Sequence, residues 1–146
     1  MYVNKLICCI YTHIHGQLDW RLRNDSRVLV REGVNARALS RSDVPHTVDL
    51  VTVDVAFISL RHIFPALPPV LLPAADVVAL VKPQFEAGRD QVGKGGIVTD
   101  PGVHDAVLAQ VTNAAIESGF SRVAMTPSPI TGAEGNREFF LHLRLR

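Results

Sequence analysis

The stretch "DLVTVDVAFISLRHIF", Asp49 to Phe64, decides how the rest of the chain is read. Leu50, Val51, Val53 and Val55 make a nearly continuous apolar run, the pattern of a strand covered on both faces in a parallel sheet. Asp54 breaks it. An ionised carboxylate is costly to desolvate, so Asp54 belongs where the strand leaves the sheet for a cleft. Beyond it, Ser59 can cap a helix carrying Leu60, Ile63, Phe64 and Leu67, which Pro68-Pro69 must disturb.

Working outward, Leu6 to His13 is apolar and β-branched enough for a strand, and "GQLDWRLRND" places Leu18 and Leu22 at helical spacing. "RVLVRE" (Arg27 to Glu32) and "DVVALVK" (Asp76 to Lys82) read as further strands. A glycine-rich loop, Glu86 to Gly96, leads to Asp100-Pro101, an N-cap followed by proline at the first helical position. Val103, Val107, Leu108 and Val111 form the inner face of that helix, and Gly119 ends it. "RVAMT" is another strand. In "REFFLHLRLR", Phe139, Leu141, Leu143 and Leu145 alternate with polar or aromatic neighbours, as in an antiparallel strand with one wetter face. This order predicts an open α/β sheet with right-handed crossovers and an antiparallel last strand.

In such sheets ligands bind at the carboxyl ends of the parallel strands. Asp54 and Lys82 each end one, and an antiparallel final strand would start at that same edge, with Glu138. Asp54, Lys82 and Glu138 are therefore expected to converge from separate segments. Three unrelated charges that cap strand ends are the competing explanation.

With 146 residues, 47% hydrophobic and 20% charged, the chain has the size and apolar content of one domain with a real core. The formal charge of +1 excludes a strong overall electrostatic case for nucleic acid, yet Arg21, Arg23, Arg27, Arg31, Arg37 and Arg41 crowd the first part. That patch faces phosphate or is a solvated surface. Cys8 and Cys9, adjacent in sequence, give no disulfide framework and fit a reducing cytosol. "LICCIY" is too short to span a bilayer. His13 and His15 of "THIH", even with Cys9, lack a second ligand cluster, so no metal site is expected. "GRDQVGKG" (Gly88 to Gly95) approaches a nucleotide-binding P-loop but puts Gly95 where a Ser or Thr hydroxyl should meet magnesium. A mobile lid or substrate loop, with Arg89 and Lys94 free to contact phosphate, fits it better.

"GQLDWRLRNDSRV", "DLVTVDVAFISL", "VALVKPQFEAGRDQVGKGGIV" and "SPITGAEGNREFFL" together resemble the TlyA-type haemolysin and ribosomal RNA methyltransferase family, a branch of the FtsJ-like 2′-O-methyltransferases. The resemblance runs from about Gly16 to the end. It implies a class I (Rossmann-like) fold, S-adenosyl-L-methionine as methyl donor, and a ribose 2′-hydroxyl of ribosomal RNA or the ribosomal subunit as acceptor, in the cytoplasm. Of the family's Lys-Asp-Lys-Glu set, the Asp matches Asp54, the second Lys matches Lys82 and the Glu matches Glu138. Asn35 and Glu32, after "RVLVRE", with Asp54, become the donor-contact candidates, and Arg137 joins Arg89 and Lys94 toward RNA. The family's glycine-rich strand-to-helix turn, its ribose-binding acid and its first catalytic Lys find no match here. Met1 to His15 matches nothing expected of the family, so residues 16–146 read as a partial domain lacking the central strand. The chain is accordingly expected to bind the donor weakly or not at all. The alternative is a non-catalytic remnant that binds RNA or a partner, or an inactive gene fragment. No pore-forming stretch supports membrane lysis.

Overall fold

The computed structural model describes residues 8–12, 16 and 18–146; Leu6 and Ile7 of the first expected strand, and His13 and His15, lie outside them. Two sheets result. Strand β1 (Cys8–Thr12) pairs in parallel with β2 (Val28–Glu32), Cys8 opposite Val28 and Thr12 opposite Glu32. The second sheet holds β3 (Val48–Val53), β4 (Leu71–Val81), β5 (Phe120–Pro127) and β6 (Phe139–Leu145) in the order β3-β4-β6-β5. β3 and β4 are parallel, and β6 runs antiparallel to both its neighbours.

The core lies on one face of the four-stranded sheet. Ala75, Val77, Ala79 and Val81 alternate along β4, level with the buried Leu143, Leu141 and Phe139 of β6. Helix α3 (Pro101–Glu117) closes that face with Val107, Leu108, Val111 and Ala115. Its start matches the sequence reading: the Asp100 carboxylate accepts from Gly102 N at 2.7 Å, and Gly119, at φ 98°, follows its end.

Four expectations need correction. The strand ending before Asp54 is covered on one face only: Leu50, 55% exposed, and Thr52 lie open on one face while Val51 and Val53 are covered on the other, and β3 is an edge strand beside β4 among the described residues. The helix capped by Ser59 becomes three successive 3-10 turns, Leu60–His62, Phe64–Ala66 and Pro68–Val70. Pro65, Pro68 and Pro69 remove the N–H groups a continuous helix would need, while Leu60, Ile63, Phe64 and Leu67 are still buried. In "GQLDWRLRND" only one turn forms, α1 (Trp20–Arg23), with no buried residue. Finally, β4 begins at Leu71. Pro73 and the positive φ of Ala74 disguise its first residues as loop, and the register to β3 shifts between Val48 and Leu50.

Candidate active site at the strand ends

Register places three of the charges singled out in the sequence. Val53 is level with Ala79 in the parallel pair, and Val81 is level with Phe139 in the antiparallel one. Asp54, Lys82 and Glu138 thus leave the sheet at the same end. Lys82 Nζ lies 2.7 Å from Asp54 Oδ1, with the lysine side chain 17% exposed and the aspartate 69%. The pair therefore has one sheltered member and one open to solvent.

Glu138 is buried. Its Oε1 accepts from Gln84 Nε2 at 3.3 Å, and Gln84 Oε1 is buried without a hydrogen-bond partner. Gly132 closes over the carboxylate so tightly that a Cβ there would lie 2.0 Å from Glu138 Oε1. Only glycine admits this approach.

Directly after Lys82 comes a single helical turn, α2 (Pro83–Glu86), for which Lys82 is the N-cap residue. Glu86 is thus the end of a helix, rather than the start of the glycine-rich loop. Its buried carboxylate accepts from Ser59 Oγ at 2.5 Å and from Leu60 N at 2.7 Å. Burial pushes its pKa up, although those hydrogen bonds and the nearby Arg61 and His62 pull the other way. Between these contacts Phe57, at φ 61° and 90% exposed, leans on Phe85 with ring centroids 4.8 Å apart.

The remaining candidates are distributed around this edge. Glu32 ends β2, where it receives Arg23 Nη2 at 2.5 Å and Gly16 N at 2.9 Å. Asn35 caps the 3-10 turn Ala36–Ala38 by accepting from Arg37 N at 3.2 Å. Neither has a hydrogen bond recorded to Asp54, Lys82 or Glu138. Arg89, Lys94 and Arg137 are all exposed. Asn136 ties the loops of the last two together: its Oδ1 accepts from Val98 N at 3.1 Å, and its Nδ2 donates to Gly96 O at 2.9 Å. No long helix follows "GRDQVGKG"; the next begins at Pro101.

Three of the six clustered arginines are compensated within the chain. Arg21 pairs with Asp19 at 3.0 Å and Arg27 with Asp25 at 2.7 Å, while Arg23 is bound to Glu32. The Arg27 guanidinium holds the Asp25 carboxyl down to about 2.

The family profile described as FtsJ-like methyltransferase matches residues 5–145. The chain belongs to the FtsJ-like methyltransferase family. It is 48% identical over 130 residues to the 16S/23S rRNA (cytidine-2′-O)-methyltransferase TlyA of Mycobacterium tuberculosis, covering 89% of this chain and 48% of that protein. Hemolysin A of Brachyspira hyodysenteriae is 40% identical over 129 residues, covering 88% of this chain and 54% of its own length. The chain thus spans about half the length of the curated relatives it matches. A structure from Streptococcus thermophilus assigned as a hemolysin superposes with a TM-score of 0.92 at 42% identity, over 96% of this chain and 51% of that one. The N-methyltransferase NodS of Bradyrhizobium japonicum superposes at 0.62 with 12% identity, over 95% of this chain and 66% of that one, which shows the fold alone. That fold is the class I methyltransferase type, so this FtsJ-like chain has the α/β class expected from its strand order.

Sequence reasoning missed Gln84, Glu86, Gly132 and Asn136. Gln84, Glu86 and Asn136 act through contacts with residues far along the chain, and Gly132 through Glu138, six residues on. The one local signal was the spacing in "KPQFE", which puts a polar residue at each end of a helical turn opened by proline.

Proposed function

We propose that this chain carries the acceptor side of a ribose 2′-O-methyltransferase acting on ribosomal RNA in the cytoplasm. The observation that carries the reading is the 2.7 Å Lys82–Asp54 pair at the carboxyl ends of two adjacent parallel strands, with Glu138 at the same end. A ribose hydroxyl is a poor nucleophile until its proton is removed or polarised. Lys82 is the group placed to do this, Asp54 fixes the direction of its amine, and Glu138 bounds the cleft. Proximity supplies much of the remaining acceleration. Arg89, Lys94 and Arg137 contact RNA phosphates in this reading, and the exposed ring of Phe57 offers a base a stacking face.

S-adenosyl-L-methionine, the donor the family implies, would supply an electrophilic methyl group. The described residues do not complete a pocket for it. Glu32 is engaged with Arg23 and Gly16, and the Asn35 oxygen caps a turn, which leaves Asp54 as the one donor-contact candidate at the cleft. Residues 16–146 thus remain, in this proposal, a partial domain whose donor affinity alone is weak. A purely RNA-binding role has less support, because Arg21, Arg23 and Arg27 are paired with carboxylates.

The test replaces the matching segment of the M. tuberculosis relative with residues 16–146 of this chain and follows methyl transfer to ribosomal RNA. Lys82→Ala in that chimera is expected to lower turnover by about 10²- to 10⁴-fold while RNA binding persists. Near-unchanged turnover would remove Lys82 from the proposed role.

A further inference from the structure

The loop that carries Asp54 and the turn that carries Lys82 run side by side, and three contacts cross between them. The first is the ion pair itself, Lys82 Nζ to Asp54 Oδ1 at 2.7 Å. The second is Phe57 against Phe85, ring centroids 4.8 Å apart. The third is the Glu86 carboxylate, which accepts from Ser59 Oγ at 2.5 Å and from Leu60 N at 2.7 Å. Asp54 and Ser59 are the two roots of an irregular loop, and Lys82 and Glu86 bracket the α2 turn. The ion pair closes one end of this ladder and Glu86 closes the other.

The two ends differ in strength. Asp54 is exposed to solvent, so its pairing with Lys82 is screened and contributes little to holding its own loop in place. Glu86 is 2% exposed at its side chain, and its hydrogen bonds are charge-assisted and shielded from water. Ser59 is held in turn, since its Oγ accepts from Arg61 N at 3.2 Å and Arg61 Nε at 3.1 Å. Remove Glu86 and the Ser59 root keeps the burial of Leu60 and the Arg61 bonds, but its hydroxyl proton and the Leu60 amide lose their acceptors and the bridge to the Lys82 turn is gone.

We infer that Glu86 is a positioning residue: by clamping Ser59 and Leu60 to the turn that begins at Lys82, it sets the distance and direction of the Asp54–Lys82 pair. A glutamine can keep part of the clamp: its Oε1 can accept from Leu60 N, but its Nε2 can donate to Ser59 Oγ only in place of one of the two Arg61 donors. Alanine can keep none of it. The consequence for methyl transfer rests on the reading proposed above, whereas the geometric consequence does not.

Lysine labelling reads that geometry without turnover. The chain has three lysines, Lys5, Lys82 and Lys94, so acetylation by an N-hydroxysuccinimide ester can be followed at each by peptide mass spectrometry, with exposed Lys94 as internal reference. In the wild-type chain Lys82 is expected to react more slowly than Lys94, being sheltered and paired. Asp54→Asn is expected to raise the Lys82 rate severalfold, and Glu86→Ala to raise it to a similar extent. Glu86→Gln, which keeps the Leu60 bond, is expected to lie between wild type and Glu86→Ala. If Glu86→Ala melts without a cooperative transition, Ser59→Ala takes its place and is expected to raise the Lys82 rate by a smaller factor. A Lys82 rate unchanged in a cooperatively melting Glu86→Ala, or in Ser59→Ala where that variant stands in, would overturn the inference. Labelling that changes as expected while Lys82→Ala keeps full turnover would instead overturn the functional reading and leave Glu86 as the clamp.

Discussion

Burial pushes the Glu86 carboxyl above its ordinary range because desolvation outweighs the hydrogen bonds from Ser59 and Leu60 and the attraction of Arg61 and His62. A group raised in the fold supports stability while it is protonated and loses that contribution as pH climbs from the ordinary glutamate range through the raised value. Glu86→Gln carries no such charge, so it is expected to lack that part of the decline. Melting curves between about pH 4 and pH 8 read the difference, and parallel wild-type and glutamine slopes would refute it. Gly132 supplies the second residue-scale prediction. Since a Cβ there would meet Glu138 Oε1 at 2.0 Å, Gly132→Ala must swing the end of that side chain aside and break its hydrogen bond from Gln84, an expected loss of about 0.5–1.5 kcal/mol in denaturant unfolding. Asp54, Lys82 and Glu138 were legible in the sequence because strand ends were. Gln84 and Glu86 were not, because a buried polar group is defined by its partner, and theirs are far away: Glu138 and Ser59, respectively.

Elements with a complete local signature were read well. α3 has its cap, its first-position proline, an apolar stripe and a terminal glycine, and each was found in place. Asp100→Ala is expected to lower stability by about 1 kcal/mol, measured by denaturant unfolding, by orphaning Gly102 N. The apolar positions after Ser59 were identified correctly but the wrong element was drawn through them. Leu60, Ile63, Phe64 and Leu67 are all buried, yet prolines cut the path into 3-10 turns that keep a similar face inward. Proline also hid the start of β4, where Ala74 takes a positive φ and the register shifts. The short helix expected in "GQLDWRLRND" is present as α1, but Leu18 lies before it, Trp20 and Leu22 stay exposed, and it ends after one turn.

At the scale of the whole molecule, two sheets stand where strand order alone suggested one. β1 pairs with β2, and β3 is left with one neighbour among the described residues, its Leu50 exposed. An open parallel edge of this kind invites pairing with another strand. The groups proposed for the acceptor side, Asp54, Lys82 and Glu138, adjoin strand ends of the four-stranded sheet, whereas Glu32 ends β2 and Asn35 follows it, engaged by Arg23 and Arg37 respectively. This division is the physical basis of the proposal that the chain carries the acceptor side of the reaction. The direct test is where the methyl group ends up. Ribosomal RNA labelled by the chimera with a methyl-radiolabelled donor is hydrolysed in alkali, which cannot cleave beside a ribose whose 2′-oxygen is methylated. The account predicts label in an alkali-resistant dinucleotide, lost with Lys82→Ala; label on a base in a mononucleotide would contradict it.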